Sequence, residues 1–148
     1  MSDVEAIQQL LNRYTLSANL ADYEAMADCY VAEGVWNIES MKMRFVGAEE
    51  IIAKCREVQS RFAFVLQQNT PAVIEVHGDR ASARAMVRES SKYADCGRML
   101  EVFGLYTDDL VRDRGEWKFA QRNFRLLNVV EYESVPPMIF ERAKEWRQ

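Results

Sequence analysis

The chain has 148 residues, 49% apolar and 28% charged, a size and balance that suit one globular domain over residues 1–148 with its own core. A net charge of −4 argues against a nucleic-acid surface, and no apolar run reaches the roughly 20 residues that cross a bilayer. Three widely spaced cysteines (Cys29, Cys55, Cys96) and one histidine argue against a disulfide framework or a metal centre. Reduced thiols and the acidic start Met1-Ser2-Asp3-Val4-Glu5, which is no secretory signal, place the protein in the cytoplasm.

Val4, Ile7, Leu11, Tyr14 and Ala18 recur at helical spacing, so residues 4–18 predict a first helix with Asp3 as its cap. Asp22 is a good N-cap for a second helix carrying Met26, Cys29 and Tyr30, which Gly34 ends. Val35 to Phe45 reads as extended, with Trp36 and Ile38 on one face and Asn37 and Glu39 on the other. A third helix follows over 48–59, with Ile51, Ile52 and Cys55 along one side.

From there the pattern turns to strands. Phe62 to Val76 predicts one long extended element, bent or bulged at Asn69-Thr70-Pro71. Turn signals at His77-Gly78-Asp79, Asp95-Cys96-Gly97 and Asp113-Arg114-Gly115 separate three further strands, over 80–93, 98–111 and 117–128. Pro136-Pro137 introduces a short helix over 138–147. Helices first and an antiparallel meander after them mean α+β. A curved sheet wrapped over helices makes a cone, with a hollow between its layers.

The order of these elements and several local phrases match a known family. Tyr14, Tyr30…Gly34-Val35-Trp36, Phe45-Val46-Gly47-Ala48-Glu49-Glu50-Ile51, Ile74-Glu75-Val76-His77-Gly78-Asp79-Arg80-Ala81 and Tyr106-Thr107-Asp108-Asp109-Leu110-Val111-Arg112…Gly115-Glu116-Trp117-Lys118-Phe119 resemble the SnoaL-like branch of the nuclear-transport-factor-2-like superfamily. The resemblance covers nearly the whole chain and implies a cystatin-like cone with three N-terminal helices. It also implies a pocket for a small apolar ligand and a homodimer formed through the outer face of the sheet. Relatives of this type include scytalone dehydratase, ketosteroid isomerase and hexachlorocyclohexane dehydrochlorinase. No cofactor or metal is implied, and neither a nucleic acid nor a membrane is expected as partner.

In the dehydratase and dehydrochlorinase an aspartate after the first helix orients a proton-moving histidine. Those positions fall on Asn19 and Gln67, neither of which ionises near neutral pH. The carboxylate base of the isomerase and a tyrosine of the dehydratase map onto Ile38. A second dehydratase histidine maps onto Ser90 and a strand asparagine onto Tyr106, with a slip of one residue allowed by a bulge.

The expected hydrogen-bonding groups are therefore Tyr14, Asn19, Gln67 and Tyr106, with Trp36, Ile38, Arg88, Ser90 and Asp108 lining the pocket. Arg88 and Ser90 share strand parity; Arg88 facing inward would need a partner such as Glu101 or Asp108. Asp108 or Glu101 are the candidate bases. Plainer readings exist for each residue: Asn19 as a turn residue, Gln67 as a strand-edge polar group, Tyr14 and Trp36 as core, Arg88 on a solvated face. His77 is expected in an exposed turn, and Asp109 is the expected ionic partner of Arg122.

Two function classes follow. One is a protein that binds an aromatic, polyketide or terpenoid molecule, with or without a cofactor-free lyase or isomerase step. The other is a non-catalytic dimeric module, or an accessory subunit resembling the small subunit of ring-hydroxylating dioxygenases. A carboxylate within reach of Tyr14 or Gln67 in an open pocket favours the first; a pocket filled by Trp36 and phenylalanines favours the second.

Overall fold

A computed structural model of the chain describes residues 1–133, and its first helix, α1 (Asp3–Asn19), is capped by Ser2 rather than by Asp3. The Ser2 hydroxyl accepts from the Glu5 N–H while the Glu5 carboxylate accepts from the Ser2 N–H, a reciprocal box that satisfies two otherwise orphaned donors. Asp3 instead accepts hydrogen bonds from Arg112 and from the Trp117 indole, tying the helix start to the far end of the sheet. The predicted helix over 138–147 lies outside the described residues.

Asp22 caps α2 (Tyr23–Asp28) through its bond from the Ala25 N–H, as its residue type predicts. The helix is shorter than expected. The Cys29 carbonyl accepts from the Phe119 N–H, so the chain has already joined the sheet, and Tyr30 and Gly34 lie in β1 (Tyr30–Ile38). A bulge separates Tyr30 from Val35 where β1 pairs with β7 (Glu116–Tyr132). Gly34 sits where a Cβ would come within 2.9 Å of the Tyr30 side chain, so glycine there permits a close approach and ends no helix. A single 3-10 turn, Glu39–Met41, then leads to β2 (Met43–Val46) and α3 (Ala48–Gln59).

The stretch expected as one long extended element is two strands, β3 (Phe62–Asn69) and β4 (Val73–His77). Both lie along one edge of β5 (Arg80–Tyr93): β4 pairs with Arg80–Arg84 and β3 with Val87–Tyr93. Pro71 has no N–H for a ladder, which explains the break, and Thr70 bridges it through bonds to and from the Met86 backbone. β6 (Met99–Asp113) and β7 (Glu116–Tyr132) complete a sheet ordered β2-β1-β7-β6-β5-β3, antiparallel except for the parallel pair β1–β7. The architecture is α+β, three helices on one strongly extended sheet.

At one end of the cone the apolar stripe of α1 (Ile7, Leu11, Tyr14) packs on Phe119, Leu110, Ala81 and Ala83. These residues bury one another almost completely. Towards the other end the layers diverge and a hollow remains between α1, α3 and the sheet. Among the described residues no helix is long and apolar enough to cross a membrane.

Candidate functional site

The hollow has a volume of about 490 Å³ and is walled mainly by apolar side chains from α1, α3 and six strands. Trp36 and Ile38 project into it from β1, as their shared parity predicts, and Tyr14, Gln67 and Tyr106 also reach it. Lys54 and Arg61 stand at its boundary, both paired with Glu57. A larger depression of about 730 Å³ lies on the outer surface against α2 and α3, and none of the candidate residues reaches it. The hollow between helices and sheet is therefore the candidate site.

Asn19 lines the hollow but its amide is committed to the backbone. Its Nδ2 donates to the Gln67 carbonyl at 2.9 Å, and its Oδ1 accepts from the Gln67 N–H at 2.7 Å. In effect the side chain supplies one residue's worth of strand pairing to β3, the outermost strand of its sheet edge. The Gln67 side chain is thereby aimed across the hollow. Its Nε2 donates to the Tyr106 hydroxyl at 3.3 Å and to Glu89 Oε2 at 3.4 Å, while its Oε1 is buried without a hydrogen bond.

Glu89 is the residue that the sequence reading missed. It faces Gln67 directly across the β3–β5 ladder, so the two side chains share a face of the sheet. The fully buried Ser91 hydroxyl donates to its other oxygen, Oε1, at 3.1 Å. Burial pushes the Glu89 carboxyl above its ordinary pKa, with the bonds from Ser91 and Gln67 opposing that shift. The signal was present in the chain. Along β5 the row Ala81, Ala83, Ala85, Val87, Glu89, Ser91 alternates with Arg80, Ser82, Arg84, Met86, Arg88, Ser90. The small apolar row had to face the helices, and Glu89 is its one charged member.

It follows that Arg88 and Ser90 do not line the pocket. They lie on the opposite face, where Arg88 Nε and the Ser90 hydroxyl both donate to Glu101. Tyr132 donates to the same carboxylate, so Glu101 is an outer-face residue and not a base for the hollow. Arg88 does pair with Glu101, but on the outer face, with its own side chain more than half exposed.

Asp108 also differs from expectation. It lies behind Tyr106, paired in register with Arg122 of β7, and it does not line the hollow. Arg122 Nε and Nη2 donate to its two oxygens at 2.9 and 3.0 Å, a bidentate pair with both residues 1% exposed. Asp109, the expected partner of Arg122, is paired instead with Gln121 across the ladder. The Arg122 guanidinium sits 3.8 Å from the centre of the Tyr106 ring and 4.4 Å from those of Tyr14 and Phe119. Cation–π attraction from three rings thus surrounds a group whose Nη1 has no hydrogen bond. Burial opposes the Arg122 charge, yet Asp108 holds its pKa above the ordinary value.

Tyr106 is flanked by that guanidinium on one side and by the tilted Phe124 ring, and burial pushes its hydroxyl up to about 12. Tyr14 is likewise raised, chiefly by burial, and makes edge contacts with Tyr30 and Phe119. Both phenols are neutral donors at physiological pH. The Cys55 thiol on α3, also lining the hollow, is pushed to about 12 by burial first and Glu89 second. The site therefore combines neutral hydrogen-bonding groups with two carboxyl groups, Glu89 bonded to Gln67 and Ser91, and Glu131, which accepts from the Tyr93 hydroxyl at 2.9 Å.

The SnoaL-like domain model matches residues 1–123. No curated relative matches the sequence. Among solved structures, a hexachlorocyclohexane dehydrochlorinase (LinA type 2) superposes with a TM-score of 0.82 at 19% identity, over 91% of this chain and 94% of that one. A candidate scytalone dehydratase from Novosphingobium aromaticivorans gives 0.80 at 20% identity, over 91% and 94%. A candidate aromatic ring hydroxylase from the same organism gives 0.80 at 23% identity, over 88% and 93%. At these identities the likeness concerns the fold, and the domain match supplies the family: this chain belongs to the SnoaL-like family, within a fold group that includes dehydratase and dehydrochlorinase enzymes.

Proposed function

We propose that the chain binds a small, largely apolar molecule of aromatic, polyketide or terpenoid type bearing a carbonyl, and catalyses a cofactor-independent proton transfer on it with Glu89 as base. The observation that carries this reading is the placement of Glu89. A carboxyl group raised by burial lines a mainly apolar hollow, bonded to the same Gln67 amide that reaches Tyr106. A base and a neutral donor on one wall are what proton abstraction beside a carbonyl needs.

In such a step the Glu89 carboxylate takes the proton from carbon. The C–H electron pair moves towards the carbonyl carbon, and the charge gathering on oxygen is held by the Tyr106 O–H. Return of the proton to another carbon gives isomerisation; departure of a β-substituent with its bonding pair gives elimination. The Asp/His pair of the fold's dehydratase and dehydrochlorinase members is replaced by an amide clamp, so the base enters from β5. Tyr14 and Trp36 then shape the wall, and the Asn19 amide acts through Gln67.

The reading as a non-catalytic module is disfavoured because the hollow is open and retains an acid. Deuterium incorporation into a panel of bicyclic aromatic and terpenoid ketones, followed by NMR in D2O, tests the proposal. Exchange that Glu89→Gln lowers by at least about 100-fold is expected. Binding of these ketones with no Glu89-dependent exchange would favour the binding module.

We also read the outer sheet face as the surface on which a second copy pairs. Met86, Val130 and Tyr132 are exposed there beside the Arg88–Glu101 pair. Light scattering should give a dimer mass that Val130→Glu reduces to a monomer.

A further inference from the structure

The Gln67 amide has an arrangement with a consequence beyond orientation. Its nitrogen is shared between Glu89 and Tyr106, while its oxygen is buried with no partner. A primary amide offers two donors at one end and an acceptor at the other, and it exchanges them by turning about its last side-chain bond. With Glu89 ionised, the observed orientation is the stable one. The nitrogen donates to the carboxylate and to the Tyr106 oxygen, and the Tyr106 proton remains available to a ligand. With Glu89 protonated, one donor meets an O–H where it met a charge. Turned over, the amide oxygen accepts from both the Glu89 and the Tyr106 hydroxyls. In each orientation one end of the amide is buried and unbonded, so that penalty nearly cancels and the charge on Glu89 decides.

We infer that Gln67 is a positioning residue whose side-chain amide turns over with the charge on Glu89, so that the Tyr106 hydroxyl is free to donate to a ligand only while Glu89 is ionised. Base and oxygen-stabilising donor are then switched on together. The ligand class this favours carries an acceptor oxygen, such as a carbonyl, close to an acidic C–H. That last step rests on the reading of Glu89 as base; the amide reversal does not.

The surroundings leave Glu89 as the group whose titration matters here. The Cys55 thiol approaches from α3 and the Tyr106 hydroxyl from β6, and burial pushes each to about 12. The Arg122–Asp108 pair lies on the far side of the Tyr106 ring, its charges mutually compensated. From α1, Asn19 is uncharged and already bonded to the Gln67 peptide. On its own strand Glu89 is met by the Ser91 hydroxyl. Lys54 and Arg61 at the boundary are engaged by Glu57, and Glu131, which lines the hollow from β7, accepts from the Tyr93 hydroxyl and pairs with Arg98.

NMR of the isotopically labelled, ligand-free full chain decides the matter. The Glu89 carboxyl carbon shift reports its titration, and nuclear Overhauser contacts report which end of the Gln67 amide faces Tyr106. Above the titration midpoint, strong contacts from the Gln67 amide protons to the Tyr106 ring are expected; below it they should weaken several-fold. In Glu89→Gln that pH dependence should vanish. Contacts of equal strength on both sides of the midpoint would overturn the inference. The two readings fail separately: a reversing amide without ketone exchange removes the catalytic reading alone, and Glu89-dependent exchange with a fixed amide removes the switch alone.

Discussion

The side-chain amide of Asn19 and the peptide of Gln67 exchange two hydrogen bonds, at 2.9 and 2.7 Å, joining the last residue of α1 to β3. Asn19→Ala should therefore destabilise the fold by about 1–3 kcal/mol, because it leaves two part-buried backbone groups without partners. Asn19→Asp should also destabilise, since a carboxylate accepts from the Gln67 N–H but repels its carbonyl. Urea unfolding of the three proteins checks both.

Glu89 has a raised pKa in the folded chain, so the folded state holds this proton more tightly than the unfolded state does. Its contribution to stability is full below the unfolded value near 4.5 and is lost as pH rises through the folded value. Glu89→Gln removes that loss. The variant should gain melting temperature over the parent as pH rises from 4 to 8, at about 3 °C per kcal/mol for a domain of this size. A constant offset across that range would contradict the assignment.

Arg122 and Asp108 form a bidentate pair sealed among aromatic rings. Replacing either alone, as in Arg122→Met or Asp108→Leu, strands a buried charge and should cost about 3–5 kcal/mol. The double variant should recover much of that loss, because apolar replacements of similar size leave no unpaired ion. Chemical denaturation of all four proteins, treated as a double-mutant cycle, measures the coupling.

Gly104 lies in close approach to Phe124, a side chain that lines the hollow. A Cβ there would lie 2.2 Å from Phe124 Cε2 and 2.5 Å from Cζ, so Gly104→Ala must displace the ring that packs on Tyr106. A destabilisation of about 1–3 kcal/mol is expected, together with weaker ketone binding. Adding Phe124→Leu should restore stability. Recovery without that second change would mean the ring had somewhere else to go.

Much of this protein was legible in the chain because the information is local. The spacing of Ile7, Leu11 and Tyr14 defines α1, Asp22 caps α2, and glycine turns at Gly78, Gly97 and Gly115 separate the long strands. The parity that puts Trp36 and Ile38 on one face depends only on the two-residue repeat of a strand. The small row Ala81, Ala83, Ala85, Val87 was equally legible and would have turned Glu89 inward and Arg88 outward.

What the chain order could not decide is which strand stands beside which, and in what register. Asp108 and Asp109 are equivalent neighbours in sequence; the β6–β7 register alone gives Asp108 to Arg122. Gln67 and Glu89 lie on strands separated by β4 and by two turns, and only pairing of β3 with β5 brings their side chains together. Local pattern determines a residue's face, because side-chain direction follows backbone geometry. Long-range pairing determines its partner, and the chemistry of this hollow belongs to the partnerships.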